Sequence, residues 1–166
     1  MRLVLVRHGI AVDLAPSDFA RTLSPEGERK TEQAMQGLTR FLSAEPRILT
    51  SPYLRAAETA AILARVGGYG SPEETDALTF AGSHEAILAA VREAATESAR
   101  MPEEIILVGH QPILGSLASW LLTGGEGARV HVKKASALAL DFYGPVTSAM
   151  GTLAWFLSPK VLRALG

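Results

Sequence analysis

Short apolar runs alternate along the chain with longer stretches in which apolar residues recur every three or four positions. The short runs are rich in β-branched residues and predict buried strands. They are RLVLV (Arg2 to Val6), RILT (Arg47 to Thr50), EIILVG (Glu104 to Gly109), SALALDFY (Ser136 to Tyr143) and TLAWFL (Thr152 to Leu157). The longer stretches have the spacing of amphipathic helices. Strands that alternate with helices are typical of a largely parallel sheet with helices on both faces.

Serine-proline pairs mark the starts of two predicted helices. Ser24-Pro25-Glu26 offers an N-cap serine, a proline at the first helical position and an acid near the positive end of the helix dipole. Ser51-Pro52 repeats this start signal before AAETAAILARV, and Gly67-Gly68 ends that helix. Further helices are predicted from His84 to about Glu97, from Pro112 to Leu122, and over the terminal segment PKVLRAL.

The end of the chain departs from this alternation. SALALDFY and TLAWFL are joined only by residues 144–151, so they are expected to pair as a hairpin or to add an antiparallel edge. A length of 166 residues suits one domain spanning residues 1–166. The predicted fold class is therefore α/β: a single-domain, three-layer α/β/α sandwich with a mostly parallel central sheet and one antiparallel edge element.

Charge and composition exclude several kinds of partner and chemistry. Sixteen basic residues nearly balance seventeen acidic ones, so no nucleic acid and no membrane surface is expected as a partner. The absence of cysteine excludes disulfides, thiolate nucleophiles and cysteine-ligated zinc. The first apolar run, from Leu3 to Val6, is too short for a signal-peptide core, and no stretch approaches the ~18 apolar residues of a membrane span. The expectation is a soluble, cytoplasmic protein.

Charged and titratable residues follow three of the predicted strands, at the point where each strand ends. Arg7-His8-Gly9 follows the first strand, Ser51-Pro52 and then Arg55 follow the second, and His110-Gln111-Pro112 follows EIILVG. Ligands of open α/β sheets bind beyond the carboxyl ends of parallel strands. If these three strands lie side by side, the two histidines and two arginines converge at one edge of the sheet.

Phosphate is the ligand that best explains such a combination. An arginine fork matches phosphoryl oxygens in a bidentate manner, and amide groups at a helix N-terminus add donors. A neutral imidazole can attack phosphorus and form a phosphohistidine intermediate, while arginines stabilise the charge on the equatorial oxygens. A second histidine would then donate a hydrogen bond to one of those oxygens.

The segments LVRHGIA, SPYLRAAETAAIL and LVGHQPILGSL resemble, in the same order, the signature segments of the histidine phosphatase superfamily. The short chain and the block DFARTLSPEG are similar to its SixA-like branch, small phosphohistidine phosphatases that act on histidine-containing phosphotransfer proteins in signal transduction. The resemblance implies His8 as the nucleophile, Arg7 and Arg55 as a clamp on the phosphoryl group, His110 as a further pocket residue and Arg21 as an additional anion contact. It implies phosphate or a phosphorylated protein as partner, and no metal or organic cofactor.

Two of these residues have alternative interpretations. Arg55 could instead form a surface pair with Glu58 three residues later, which is a weak interaction on a helix. Arg21 could instead pair with Asp18 within a loop, which would account for both residues without a ligand.

The remaining basic residues carry no motif. His84 and His131 are expected to be solvated or locally hydrogen-bonded. Four histidines without cysteine and without an H-E-x-x-H pattern argue against a metal site. Lys133 and Lys134, with Arg129 nearby, form either a basic rim that attracts an acidic partner or an ordinary solvated loop.

The larger superfamily members also use an acid to protonate the leaving oxygen. The corresponding region here, ETDALTFAGSHEAI, has no acid at the expected place, which leaves Glu85 or Asp18 as weak substitutes. The nitrogen of phosphohistidine leaves more readily than an alkoxide, so a site without a strong general acid suits a phosphoramidate substrate. The alternatives are a small-molecule phosphomonoester phosphatase or mutase of the same superfamily, and a non-catalytic phosphate-recognition module.

Overall fold

One mixed sheet organises the chain. A computed structural model describes residues 1–96, 102–125 and 127–166, and over these residues the sheet has the strand order β3-β2-β4-β1-β5-β6. The strands are β1 Arg2–Arg7, β2 Arg47–Thr50, β3 Glu73–Glu74, β4 Glu104–Gly109, β5 Ala137–Asp141 and β6 Thr152–Leu157. The first four strands run parallel to one another, whereas β5 is antiparallel to both β1 and β6. The expected antiparallel edge is therefore confirmed as a β5–β6 hairpin.

Five α-helices cover this sheet in the described part of the chain. They are α1 Pro25–Leu38, α2 Leu54–Gly67, α3 His84–Thr96, α4 Ile113–Thr123 and α5 Pro159–Leu165. Short 3-10 turns occupy Thr39–Phe41 and Asp76–Leu78. The predicted end of the third helix, at about Glu97, lies outside the described residues.

The two serine-proline signals have different outcomes. Ser24 caps α1 as predicted, because its side chain accepts a hydrogen bond from the Gly27 amide at 3.0 Å. Ser51 does not cap α2, which begins only at Leu54 with Tyr53 at the N-cap position. The predicted start of α2 is therefore two residues too early, since the Ser51 hydroxyl is hydrogen-bonded to His110.

Two apolar cores lie on opposite faces of the sheet. Alternate side chains of β1 point to opposite faces, and Leu3 and Leu5 pack with α3 and α4. Val4 and Val6 pack with α1, α2 and α5 on the other face. All four are fully buried, which is why β1 is a continuous apolar run. This arrangement confirms the predicted three-layer α/β/α architecture.

One strand of the sheet carries no strong signal in the sequence. Strand β3 consists of two exposed glutamates, Glu73 and Glu74, so it was not predicted from apolar residues.

None of the helices in the described residues has both the length and the apolar content that crossing a bilayer would require.

Backbone hydrogen bonds bring the ends of three neighbouring strands together. The amide of His8, just after β1, donates to the carbonyl oxygen of Gly109 in β4 at 3.1 Å. The amide of Ser51, just after β2, donates to the carbonyl oxygen of Val108 at 2.9 Å. Because β4 lies between β1 and β2, the residues that follow these strands meet at one edge of the sheet.

Candidate active site

The structure brings the four residues singled out from the sequence into one cluster. The ring centroids of His8 and His110 lie 5.1 Å apart, and Nε of Arg55 lies 3.4 Å from Nε2 of His8. These three residues are almost completely buried, at 6%, 0% and 3% exposure respectively. Arg7 is half-buried beside them and contributes positive charge to the surroundings of both imidazoles.

The protonation state of His8 follows from its surroundings. Its Nδ1 lies 2.7 Å from the carbonyl oxygen of Gly9, which can only accept a hydrogen bond, so Nδ1 carries the proton. Burial lowers the pKa of His8 to about 3; the Gly9 carbonyl opposes this, and the positive charges of the two arginines, with that of His110 once it is protonated in acid, add to it. The ring is therefore neutral at neutral pH, and its Nε2 carries an electron pair that accepts a long hydrogen bond from Nε of Arg55 at 3.4 Å.

His110 is also neutral, and Ser51 is its hydrogen-bonding partner. Burial, followed by the positive charge of Arg55, lowers the pKa of His110 to about 4. Its Nε2 lies 2.9 Å from the Ser51 hydroxyl, whereas its buried Nδ1 has no hydrogen-bond partner among the described residues. Ser51 was treated from the sequence as a helix-start residue, but it holds the second histidine.

Arg55 is fixed by the loop that precedes α1. Its two terminal nitrogens donate to the carbonyl oxygen and the carboxylate of Asp18, at 2.6 and 2.9 Å. The alternative surface pairing with Glu58 is wrong, because Arg55 is buried and its terminal nitrogens bind Asp18. The Glu58 carboxylate accepts a hydrogen bond from the amide of Leu23 at 2.6 Å. The planar guanidinium therefore spans from the loop to His8.

Asp18 joins Arg55 to Arg21. One carboxylate oxygen of Asp18 binds Arg55, and the other, Oδ1, accepts a hydrogen bond from a terminal nitrogen of Arg21 at 3.1 Å. Nε of Arg21 donates to the Val12 carbonyl at 2.7 Å. Burial opposes ionisation of Asp18, but the hydrogen bonds from Arg55 and Arg21 outweigh it and lower its pKa. The Asp18–Arg21 pair considered from the sequence is thus present. An anion contact by Arg21 stays a prediction.

The loop after β1 is held between α1 and α2. The Gly9 amide donates to the Thr59 hydroxyl at 3.1 Å, and this hydroxyl donates to the Arg55 carbonyl at 2.7 Å. A Cβ atom at position 9 would lie 2.0 Å from the hydroxyl oxygen of Thr31. Glycine is therefore required here so that α1 can approach, and the loop that carries His8 is fixed in position.

Arg7 is positioned by the loop that precedes β5. One of its terminal nitrogens donates to the Val132 carbonyl at 3.0 Å, while its buried Nε has no hydrogen-bond partner among the residues described. Burial and the neighbouring charge of Arg55 lower the pKa of Arg7. Lys133 and Lys134 are exposed on the same loop, and an attraction to an acidic partner stays a prediction.

Three aromatic side chains, Phe19, Tyr53 and Phe80, lie next to the charged cluster. The centroids of Phe80 and Tyr53 are 4.6 and 5.0 Å from that of His110. Phe80 belongs to the TFAG segment in which the sequence offered no acid, whereas Glu85 is exposed in the first turn of α3. These aromatic residues were not identified as site residues from the sequence, because single aromatics in loops carry no motif.

The remaining histidines have separate environments. His84 lies with its Nε2 2.9 Å from the Ser116 hydroxyl, which confirms the expected local bonding, and His131 is exposed. Over residues 1–96, 102–125 and 127–166, no group of three histidine, aspartate or glutamate side chains is placed to hold a metal ion. Fold and cluster together define an α/β protein in which two neutral imidazoles and two guanidinium groups meet at the carboxyl ends of parallel strands.

Several known proteins are similar to this chain in sequence or in fold. No protein-family model matches the chain. An uncharacterised protein from Picosynechococcus sp. is 38% identical over 144 residues, which is 84% of each protein. The phosphohistidine phosphatase SixA of Escherichia coli is 27% identical over 167 residues, covering 98% of this chain and 97% of that protein.

Among solved structures, the protein histidine phosphatase SixA complexed with tungstate superposes with a TM-score of 0.82 at 24% identity. The match covers 96% of this chain and 98% of that one. The resemblance to the histidine phosphatase superfamily expected from the three sequence segments is confirmed, because a SixA sequence and a SixA structure are both similar to nearly the whole chain.

Proposed function

We propose that this protein is a phosphatase that hydrolyses phosphohistidine on a partner protein through a phosphohistidine intermediate on His8. The observation that carries the proposal is the state of the His8 ring. It is neutral, its Nδ1 donates to the Gly9 carbonyl, and its Nε2 keeps an electron pair whose only hydrogen bond among the described residues is a long one from Nε of Arg55 at 3.4 Å. A protein that only bound phosphate would gain little from such a nucleophile, which argues against a non-catalytic recognition module.

The phosphoryl group is held by Arg7, Arg55 and His110 in this proposal. Nε of Arg7 and Nδ1 of His110 are buried polar atoms without a partner in the described part of the chain. The Ser51 hydroxyl can donate to Nε2 of His110, and in that arrangement the proton of the neutral ring lies on Nδ1. Buried donors without a partner are costly unless a ligand satisfies them, and phosphoryl oxygens are suitable acceptors. The SixA structure that superposes on this chain holds tungstate, a tetrahedral oxyanion of similar shape, which supports the assignment.

The reaction has two displacement steps. In the first step, the electron pair of His8 Nε2 forms a bond to phosphorus while the substrate's phosphorus–nitrogen bond breaks. The bonding pair stays on the departing nitrogen, and a substrate ring protonated at its other nitrogen leaves as neutral imidazole. In the second step, water attacks phosphorus, His8 is released, and inorganic phosphate leaves. Arg55 stabilises the charge on the phosphoryl oxygens in both steps.

The surroundings of the pocket favour a nitrogen leaving group over an alkoxide. An ester requires a proton donor at the leaving oxygen, but Phe80 lies beside His110 and Glu85 is exposed on α3. Asp18 is a poor donor because its hydrogen bonds to two arginines lower its pKa. These features argue against a small-molecule phosphomonoester phosphatase or mutase.

The proposed partner is a phosphorylated protein of the histidine-containing phosphotransfer class, and the proposed setting is cytoplasmic signal transduction. The sequence relative from Escherichia coli is itself a phosphohistidine phosphatase, and its match extends over nearly the whole chain. This likeness is the support for the class of partner.

Trapping of the intermediate tests the function directly. After brief exposure to a histidine-containing phosphotransfer protein carrying radioactive phosphate, an alkaline quench is expected to retain label on the enzyme. Peptide mapping should then find it in the peptide containing His8. Label on a different residue, or release of phosphate from this substrate without any labelled enzyme, would contradict the mechanism.

The buried neutral histidines also predict a dependence of stability on pH. In the folded state the pKa values of His8 and His110 are about 3 and about 4, against 6.5 for an unperturbed histidine. Below pH 6.5 the unfolded chain therefore binds more protons than the folded one, so stability is lost as the pH falls from 6.5 towards 4. At pH 5 each histidine should lower the free energy of unfolding by about 2 kcal/mol.

Urea denaturation at pH 7 and at pH 5 measures this effect. Glutamine variants at His8 and at His110 remove one titrating ring each and keep a neutral polar side chain. Each variant should lose less stability between the two pH values than the unmodified protein does. An identical loss in all three proteins would show that these rings do not cause it.

A further inference from the structure

An aromatic rim, formed by Phe19, Tyr53 and Phe80, borders the cluster of buried charged residues. Phe19 and Phe80 are each 48% exposed, although phenylalanine is a residue that folding usually buries. The centroid of the Tyr53 ring lies 5.1 Å from that of Phe19 and 5.4 Å from that of Phe80, so the three rings form one continuous surface. They come from three separate segments of the chain: the turn before α1, the N-cap of α2 and the turn before α3.

The inner side of the rim contacts the groups that hold the phosphoryl group in the proposed reaction. Phe80 lies over His110 at 4.6 Å between centroids, and Cζ of Arg55 lies 5.0 Å from the Tyr53 centroid and 5.8 Å from the Phe80 centroid. These contacts make the rim a direct neighbour of the phosphoryl site.

We propose that the aromatic rim is the leaving-group subsite and that it takes a flat heteroaromatic ring, the imidazole of phosphohistidine. This inference rests on the proposed function and adds the residues that recognise the departing group. Phe19 and Phe80 offer half-exposed rings on which such a ring can stack, and stacking removes their apolar surface from water. A phosphorylated imidazole that is protonated at its distal nitrogen is also a cation, which aromatic faces attract.

The chemistry of the rim disfavours the other common leaving groups. Sugar and glycerol phosphates present hydroxyl groups, and the two phenylalanine rings have neither hydrogen-bond donors nor conventional acceptors. Covering those hydroxyls with apolar rings would cost free energy without replacing their bonds to water. The two half-exposed phenylalanine rings of the rim therefore favour a flat ring over a hydroxyl-bearing group attached to the phosphoryl group.

Two small substrates with phosphorus–nitrogen bonds separate ring recognition from bond cleavage. N-phosphorylimidazole carries the ring, whereas phosphoramidate has only an amino group. The quantity to compare is the ratio of kcat/KM for the two substrates, measured for the unmodified protein and for Phe19→Ala, Phe80→Ala and Phe80→Leu. The two substrates differ in intrinsic reactivity, but this difference is the same for every protein variant. It therefore cancels when the ratio for a variant is divided by the ratio for the unmodified protein.

The alanine variants, and F80L, which keeps apolar bulk without an aromatic face, should lower this ratio by about three- to tenfold each. Turnover of phosphoramidate should change much less, since it does not use the rim. Phe156→Ala is the matched control, because Phe156 is also half-exposed, at 44%, but lies on the edge strand β6. Its ratio should equal that of the unmodified protein.

The outcomes separate the inference from the proposed function. If Phe19 and Phe80 variants lose activity on both substrates equally, the rim only supports His110 and Arg55, and the inference fails. An unchanged ratio with normal turnover also overturns it, while the phosphatase assignment stands. If the unmodified protein cleaves a phosphorylated histidine-containing phosphotransfer protein but neither small substrate, the rim does not recognise the ring by itself, and the inference fails. If it cleaves none of the three, the proposed function itself fails.

Discussion

Replacement of His8 by alanine is expected to lower kcat for a phosphohistidine protein by roughly 10⁴-fold or more, as is found when an enzyme's nucleophile is removed. Within the described cluster the other imidazole is not placed to take over, because Nε2 of His110 is hydrogen-bonded to the Ser51 hydroxyl at 2.9 Å. The measurement is single-turnover release of phosphate, with the same assay on the unmodified protein.

The loss must be chemical and not a failure to fold. Arg7, Arg55 and His110 remain in the H8A variant, so it should still bind tungstate or phosphate, and its circular dichroism should be unchanged. His131→Ala is a suitable control because His131 is exposed and has no proposed role. Near-normal hydrolysis by H8A would overturn the assignment of the nucleophile.

The sheet was predictable because its buried strands carry a strong and simple signal. β1 and β4 are covered on both faces, so nearly every position must be apolar, and such runs stand out in a sequence. The location of the site followed from the same signal, since Arg7-His8-Gly9 and His110 come directly after these runs. Strand β3 gave no such signal because its two residues are exposed glutamates.

The partners of the site residues were harder to predict, because they depend on contacts between distant segments. Asp18 lies 37 residues before Arg55, and Ser51 lies 59 residues before His110. No spacing rule links such pairs, and each side chain had a plausible local role: Asp18 with Arg21, and Ser51 as a helix cap. In the fold, Ser51 bonds to His110 and does not cap α2, while Asp18 orients two arginines together.

The same limit applies to Phe80. Within its own segment it is one apolar residue in a turn, and only the fold shows that its ring lies over His110. The sequence did show that this segment lacks an acid. The structure adds that an aromatic side chain of this segment lies beside the second histidine. The segment that lacks a proton donor therefore contributes to the surface that we propose for an imidazole leaving group.

Replacement of Arg55 by lysine is expected to lower kcat/KM by roughly 10²- to 10³-fold although the positive charge is kept. The guanidinium uses Nε towards His8 and both terminal nitrogens towards Asp18, at 3.4, 2.6 and 2.9 Å. A lysine has a single nitrogen and cannot span these positions at once. The loss should fall mainly on kcat, because the planar group is proposed to stabilise charge that grows as the phosphorus–nitrogen bond breaks.

Arg65 provides a matched control on the same helix. It is also paired with a carboxylate, that of Glu32 at 3.0 Å, but it is 60% exposed and far along α2 from the proposed clamp. Arg65→Lys should therefore retain full activity, since exposed ion pairs contribute little. If R55K showed only a slight rise in KM, Arg55 would act as a general positive charge. The geometry that joins it to His8 and Asp18 would then have no role in the reaction.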